Sequence, residues 1–274
     1  MKLIDAHNHL HDARLAPHLP EILRTLKLQC AVVNGTCEDD WQGVASLAAR
    51  HPWILPSFGL HPWHVAGRSA RWLDELHREL DAHPRAGVGE IGLDCWIEGH
   101  DLADQTKVFT AQLALAAERN LPVTVHCIQA WGALWEIVRS HPLPVRGFLI
   151  HAYGGSLEMM RSFAQRDAYF SFSPYFLHER KSAQRAVFAA IPDDRLLVET
   201  DAPDLRPPDE KNAHPLFGTN GAPLNHPANI AAAYAGLAEI RGVEVEALAQ
   251  IVASNFARLF ESSVTRDRDT ECAC

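Results

Sequence analysis

Short apolar runs rich in β-branched residues alternate along the chain with longer segments whose apolar residues recur at helical spacing. Eight runs of the first kind predict strands at 2–6, 30–34, 54–59, 86–90, 122–126, 147–151, 169–172 and 196–200. The amphipathic segments predict helices at 20–28, 41–50, 70–82, 102–119, 130–140, 157–166, 182–190, 227–240 and 245–260. A proline-marked segment at 207–223 is expected to be a loop.

This order of elements is typical of one α/β fold, the (β/α)8 or TIM barrel, which has eight strand–helix units in about 250 residues. An open, doubly wound parallel sheet could also hold eight strands. That alternative is weakened because His7-Asn8-His9 follows the first strand, where such a sheet carries a Gly-rich phosphate-binding turn. We therefore predict a single barrel domain over residues 1–261 and a flexible polar tail at 262–274.

Side chains that can bind a metal follow five of the predicted strands. His7 and His9 come at the end of the first strand and point to the same face, because side chains alternate in an extended chain. The ends of later strands carry Glu90, His126, His151 and Asp201. Each residue alone is also typical of a hydrogen-bonded polar group at a strand end. Six of them at the end of a barrel where active sites lie predict a metal centre.

The types of these six side chains indicate which metals they would hold. Imidazoles with carboxylates suit zinc, manganese or iron better than calcium, which prefers oxygen ligands. Six ligands exceed what one tetrahedral zinc uses, so Glu90 could bridge two divalent ions, with magnesium also a candidate. Such a pair would activate water for hydrolysis, and Asp201 could accept the proton as general base.

Other polar residues are candidates for supporting roles. His61 follows the third strand and could hold a substrate anion, although a proline-bent surface loop would also explain it. Asp94 and Glu199 could orient ligands through hydrogen bonds. Arg180 and Lys181 follow the seventh strand and could contact substrate phosphates at the rim, although the solvated start of a helix would also contain them.

Composition and charge narrow the function classes. The chain has 47% hydrophobic and 22% charged residues, as an ordinary globular protein does, and its net charge of −9 excludes an overall basic field for recruiting nucleic acid. The six cysteines include no C-x-x-C pair, and neither a secretory signal nor a membrane-length apolar stretch is found. We therefore expect a cytoplasmic protein with reduced thiols and an unpaired Cys272 and Cys274.

Several motifs together resemble the TatD family of metal-dependent hydrolases, within the amidohydrolase superfamily, over nearly the whole chain. The matching segments are Ile4-Asp5-Ala6-His7-Asn8-His9-Leu10, Gly59-Leu60-His61-Pro62, Gly89-Glu90-Ile91-Gly92-Leu93-Asp94, Gln112-Leu113 through Leu121-Pro122-Val123 with His126, Glu199-Thr200-Asp201-Ala202-Pro203 and Asn255-Phe256-Ala257-Arg258-Leu259-Phe260. Each motif alone is modest, but jointly they are specific.

The resemblance implies a fold, a metal content and an activity. The fold would be a (β/α)8 barrel with two divalent metal ions. One ion would be held by His7, His9, Glu90 and Asp201, and the other by Glu90, His126 and His151. The activity would be that of a deoxyribonuclease that cleaves phosphodiester bonds in DNA, commonly from a 3′ end.

Three positions depart from the family pattern. Ile128 stands where a basic residue is common, Asp204 where an apolar residue is common, and His226 where an acidic residue is common. The first two make the mouth of the barrel less positive, which favours an alternative substrate such as a small amide, lactone or phosphoester. An alternative of another class is a metal-binding scaffold without catalysis. The sequence indicates no membrane association and no obligate protein partner.

Overall fold

The computed structural model describes residues 3–261 and contains one sheet of eight parallel strands, each paired with its neighbour in chain order. The strands are β1 Leu3–Asn8, β2 Leu28–Asn34, β3 Ile54–Phe58, β4 Gly87–Asp94, β5 Val123–Ile128, β6 Phe148–Ile150, β7 Ala168–Phe172 and β8 Leu196–Val198. The eight predicted strands are confirmed, although several begin or end a few residues away from the predicted bounds.

Helices connect the strands and cover the outside of the sheet. They are α1 Leu19–Thr25, α2 Glu38–Arg50, α3 Trp72–Ala82, α4 Leu102–Arg119, α5 Trp131–Ser140, α6 Leu157–Ala164, α7 Ser182–Ala190, α8 Ile230–Arg241 and α9 Val245–Phe260. The first helix ends earlier than predicted because Leu28 already belongs to β2. Within residues 3–261, no helix is both long and apolar enough to cross a membrane.

The sheet closes because the ends of β8 and β1 are joined by hydrogen bonds. The Asp201 N–H donates to the His7 carbonyl at 3.0 Å, and the His9 N–H donates to the Ala202 carbonyl at 2.8 Å. Below them, the Asp5 carboxylate accepts the N–H of Thr200 at 2.9 Å and its hydroxyl at 2.6 Å. The prediction of a (β/α)8 barrel is confirmed, and the open doubly wound sheet is excluded.

The core explains why the barrel forms from this sequence. Every residue of β3 and β4 is buried, as expected for strands covered by helices on one side and by the barrel interior on the other. Helix α9 lies against β8 and β1 and buries Leu248, Val252 and Phe256. Its Asn255 side chain donates to the Leu196 carbonyl at 2.7 Å, so the helix is also bonded to the start of β8.

A small hairpin after β8 is absent from the predictions. The expected loop at 207–223 contains most of a small antiparallel hairpin, in which β9 Pro215–Phe217 pairs with β10 Pro223–Asn225. Side-chain hydrogen bonds fix it beside the barrel, since the Asn225 amide donates to the Thr200 carbonyl at 2.8 Å. The predicted tail at 262–274, with Cys272 and Cys274, lies outside the described residues. The four described cysteines, which are Cys30, Cys37, Cys95 and Cys127, are free thiols.

Candidate metal centre

A cavity of about 1060 Å³ opens at the C-terminal ends of the strands, where a (β/α)8 barrel carries its active site. The sequence-predicted ligands meet at its base, although they come from five strands or strand ends. Those that line it are His9, Glu90, His126, His151 and Asp201. His7 belongs to the same cluster but is fully buried.

Glu90 occupies a different position in its strand from the one predicted. The sequence predicts it at the C-terminal end, and this is wrong, because β4 continues to Asp94. The pairing of β4 with β5 is irregular between Val88 and Ile91. Irregularities of this kind re-aim side chains, and here the Glu90 carboxylate lies at the centre of the cluster.

Each oxygen of the Glu90 carboxylate has its own set of neighbours. Oε2 lies 3.2 Å from His9 Nε2 and 3.5 Å from His7 Nε2. Oε1 lies 2.9 Å from His126 Nδ1 and 2.8 Å from His151 Nε2. A carboxylate with separate nitrogen donors at its two oxygens has the arrangement needed to bridge two cations.

Asp201 completes the set of donors on the His7 side. Its Oδ1 lies 3.2 Å from His7 Nε2 and 3.4 Å from His9 Nε2. The residue has a φ of 54°, in the left-handed region that non-glycine residues rarely adopt. Such strain is common at functional sites. In this conformation the Asp201 carboxylate lies beside His7 and His9, at the C-terminal end of β1.

The donor atoms fit a divalent metal ion. Atoms bound roughly 2.0–2.2 Å from one ion at tetrahedral angles lie roughly 3.3–3.6 Å apart, which is close to the spacing of His7, His9 and Asp201. The Nε2 atom of His7 is buried and has no hydrogen-bond partner among the described residues. A buried donor or acceptor without a partner is costly, and ligation of a cation would satisfy it.

Overlapping groups of these side chains could hold an ion. One group is His7, His9 and Asp201, a second is His7, Glu90 and His151, and a third is His61, Glu90 and His126. His7 and Glu90 each belong to two of these three groups.

Asn34, at the end of β2, contacts the Nδ1 atoms of His7 and His9, which face away from the cluster. Its carbonyl lies 2.8 Å from His9 Nδ1, so it accepts the proton there and leaves the Nε2 lone pair facing the cluster. Its side-chain Nδ2 lies 2.9 Å from His7 Nδ1, and its Oδ1 has no hydrogen-bond partner among the described residues. Turning this amide by 180° pairs Oδ1 with a protonated Nδ1 and directs the His7 Nε2 lone pair into the cluster.

Carboxylates lie beside the outward-facing nitrogens of the other two imidazoles, and that of Asp94 is hydrogen-bonded to His126. Asp94 Oδ2 lies 2.9 Å from His126 Nε2 and accepts the indole N–H of Trp63 at 2.8 Å. Glu199 Oε1 lies 3.5 Å from His151 Nδ1, and its Oε2 accepts the Ser171 hydroxyl. Both acids are therefore in the places where the sequence predicts orienting residues, beside the nitrogens that face away from the cluster.

In His61 the proton and the lone pair are on the reverse nitrogens from those in His9. The Trp63 backbone N–H donates to His61 Nδ1 at 3.2 Å, so the neutral ring carries its proton on Nε2. Burial lowers the pKa of His61 to about 4, and the ring is therefore neutral near pH 7. Its Nε2 lies 3.4 Å from Glu90 Oε1. In this tautomer His61 is a hydrogen-bond donor at the base of the cavity.

The pKa values of Glu90 and His9 favour an ionised carboxylate beside imidazoles that bind a proton or a cation. Burial raises the pKa of Glu90, but the surrounding imidazoles, led by His151, lower it by more, and it lies well below its usual range. For His9, burial lowers the pKa, but the contacts with Asp201 and Glu90 raise it by more, and it lies well above its usual range. Ionised carboxylates therefore coexist with sites that protons or cations can occupy.

The predicted rim residues lie farther out. Lys181 lines the cavity, and its Nζ lies 5.0 Å from the centre of the Tyr175 ring. Arg180 lies 5.3 Å from the centre of the same ring and donates to the Tyr175 hydroxyl. Neither cation reaches the cluster around Glu90.

Asp204 forms an ion pair at the mouth of the cavity. Its two carboxylate oxygens accept hydrogen bonds from Arg14 at 2.9 Å and 2.7 Å. Arg14 also pairs with Asp12, so one guanidinium is shared by two acids. Arg14 comes from the segment after β1, so its pairing with Asp204 depends on the fold.

Two contributors to the site are absent from the sequence predictions. Asn34 could have been identified by the signal that identified the ligands, since it is a polar residue at the end of a predicted apolar strand. Trp63 lies beside the predicted His61, but only the fold brings its indole N–H to Asp94.

Comparisons with known proteins agree with this geometry. A family model described as TatD related DNase matches residues 4–261. The chain is 29% identical over 262 residues to YabD of Bacillus subtilis, named an uncharacterized metal-dependent hydrolase, with 94% of this chain and 98% of YabD covered. It is 31% identical over 231 residues to the 3′-5′ ssDNA/RNA exonuclease TatD of Erwinia tasmaniensis, with 84% of this chain and 87% of the relative covered.

A solved structure gives the same result for the fold. The crystal structure of YjjV, a TatD homolog from Escherichia coli, superposes with a TM-score of 0.85 at 27% sequence identity. The match covers 95% of this chain and 98% of the YjjV chain.

The contact between Asn34 and His7 makes a prediction about metal affinity. We expect Asn34→Ala to weaken Mn²⁺ binding by about 10-fold to 100-fold, because loss of an orienting partner typically costs this much. Calorimetric titration of chelator-treated protein measures the change. Asn220→Ala, in an exposed turn, is the control and should bind as the wild type does. Equal affinity in both variants would contradict the orienting role.

Proposed function

The chain belongs to the family of TatD related DNases, and we propose that it hydrolyses phosphodiester bonds at the 3′ end of single-stranded DNA, using two divalent ions. The relative from Erwinia tasmaniensis carries the name of a 3′-5′ ssDNA/RNA exonuclease and supports the choice of substrate. The observation that carries the proposal is the Glu90 carboxylate, whose two oxygens face different nitrogen donors.

The six predicted ligands divide into two sets around this carboxylate. One ion would be held by His7, His9, Glu90 and Asp201, and the other by Glu90, His126 and His151. Zinc, manganese, iron and magnesium all remain candidates for these sites. When bound, such a pair lowers the pKa of water and stabilises negative charge on an attacked phosphoryl oxygen.

The protein's own side chains would supply the remaining chemistry. Asp201 is ionised, since contacts with His7 and His9 lower its pKa by more than burial raises it, and it can accept the proton of the attacking water. His61 would donate its Nε2 proton to a phosphoryl oxygen, in agreement with its tautomer. Lys181 would contact a phosphate farther along the strand.

The charge at the cavity mouth is mixed. Asp204 is paired with Arg14, which Asp12 shares, so these three side chains keep one net negative charge. Lys181 contributes a positive charge on the side of the cavity that follows β7. The choice of DNA over a small amide, lactone or phosphoester therefore rests on the name of the relative and not on charge. Free thiols at four described positions also support the expected cytoplasmic location.

Removal of metal tests the proposed function directly. We expect chelation to reduce cleavage of a 5′-labelled single-stranded oligonucleotide at least 100-fold, and Mn²⁺, Mg²⁺ or Zn²⁺ to restore it, because water activation would be lost with the ions. Gel analysis of the shortened products measures both the rate and the polarity. Undiminished cleavage after chelation would contradict the proposal, as would faster hydrolysis of small esters or amides than of DNA.

The tautomer of His61 makes a separate prediction. We expect His61→Ala to reduce kcat about 100-fold with unchanged metal content, because a donor to the transition state is lost while the proposed ligands remain. Metal analysis and steady-state kinetics on the same preparation measure both quantities. His64→Ala is the control, since His64 is exposed at the same cavity and should retain the wild-type kcat. Loss of metal in His61→Ala would instead make His61 a ligand.

A further inference from the structure

Exposed apolar side chains are concentrated at the mouth of the cavity. Among residues 3–261, the exposed large hydrophobic side chains are Trp63, Trp96, Ile128, Val145, Phe217 and Val243. The first three line the cavity, and the other three do not. Trp63 is 47% exposed and Trp96 is 63% exposed. An exposed apolar patch confined to a cavity typically marks a binding surface.

These three residues, which we call the apolar rim, are held together by Asp94 and the strand it ends. Asp94 accepts the indole N–H of Trp63 at 2.8 Å and the backbone N–H of Trp96 at 2.7 Å. In the pairing of β4 with β5, Asp94 lies opposite Ile128. The Ile128 carbonyl accepts the N–H of Cys95 at 3.0 Å, which ties the two strand ends together.

The apolar rim adjoins the candidate metal centre. The ring of Trp63 has its centre 5.2 Å from that of His61 and 6.4 Å from that of His126. Because its N–H is bonded to a buried carboxylate, the indole is held in one orientation while much of its surface remains open. A ligand group that packs on this ring would therefore be a near neighbour of a phosphate bound at Glu90.

We propose that the apolar rim binds an unpaired nucleobase of the strand whose phosphate lies at the metal centre. The inference rests on the proposed function and specifies which part of the substrate the protein recognises besides the phosphate. Indole faces stack on any base, so the contact would be tolerant of sequence. The bases of a duplex are already stacked and paired, so the rim would select single-stranded ends.

The opposite side of the cavity has complementary character. In a closed barrel of eight strands, the loop after β7 lies across the mouth from the loop after β3. The former carries Arg180 and Lys181, and the latter carries Trp63. Of the two cations, Lys181 lines the cavity. A cation on one wall and aromatic rings on the other are features by which proteins bind single-stranded nucleic acid.

The position of Ile128 suggests a role in binding a base. Judged by charge alone, Ile128 is a cation missing from the family pattern, which argues against a nucleic-acid substrate. In the structure its side chain extends the surface formed by Trp63 and Trp96, beside Asp94. A phosphate contact would thus be replaced in this chain by an apolar contact with a base.

The experiment compares two 5′-fluorescein single-stranded oligonucleotides with phosphorothioate linkages, one complete and one with abasic sites at its last two 3′ positions. Fluorescence anisotropy with the metal-loaded protein gives Kd for each. We expect the wild type to bind the complete strand about 10-fold more tightly, which is within the range of one stacked base. Trp96→Ala should reduce this preference to about 3-fold, because one indole is lost while the ring of Trp63 remains.

Two further variants separate stacking from other effects. Phe217→Ala removes an exposed aromatic ring outside the cavity and should keep the full preference for the complete strand. Trp63→Phe keeps a ring but loses the N–H bond to Asp94, and it should keep most of the preference if the ring itself binds the base.

Several results would overturn the inference. They are equal Kd values for the two strands with the wild type, an undiminished preference in Trp96→Ala, or no detectable binding of either strand. Failure of the proposed function would look different. A protein that prefers the complete strand but cleaves no unmodified DNA would refute the nuclease proposal and leave the apolar rim in place. Cleavage without any preference for a base would refute the rim alone.

Discussion

The carboxylate of Glu90 is a buried negative charge surrounded by imidazole rings, and most of the site is arranged to compensate it. A buried charge without partners costs several kcal/mol, roughly the whole margin by which a domain is stable. The nitrogens of His126 and His151 lie within 2.9 Å of one oxygen, and those of His7 and His9 lie within 3.5 Å of the other. Protons can balance this charge, but cations bound on both sides of the carboxylate would balance it and also supply chemistry.

Closure of the barrel makes this convergence possible. The donors lie as far apart in the chain as His7 and Asp201, and only the joining of β8 to β1 brings those two together. The hydrogen bonds between Asp5 and Thr200 stabilise this seam just below the cluster. Hydrogen bonds with Asn34 and Asp94 then fix the orientations of His9 and His126, and Glu199 lies 3.5 Å from the nitrogen of His151 that faces away from Glu90.

The periodicity of apolar residues was sufficient to predict the elements, because a strand buried on both sides reads as a continuous apolar run. The polar residues at the ends of five of these runs then gave the candidate ligands. Contacts between segments that are distant in the chain could not be predicted from the sequence. The irregular pairing at Glu90 involves β5, and the ion pair of Asp204 involves Arg14, which is 190 residues away in the chain. The sequence shows Asn34 at the end of an apolar run, but only the fold shows that its amide contacts His7.

Metal positions in a crystal would test the central claim most directly, because the account assigns Glu90 to two ions at once. Crystals grown with Mn²⁺ and measured at the manganese absorption edge would locate them by anomalous scattering. The account predicts two peaks about 3.5–4 Å apart, one beside each oxygen of the Glu90 carboxylate, the first also contacting His7, His9 and Asp201 and the second His126 and His151. A single peak, or peaks that do not contact Glu90, would contradict it.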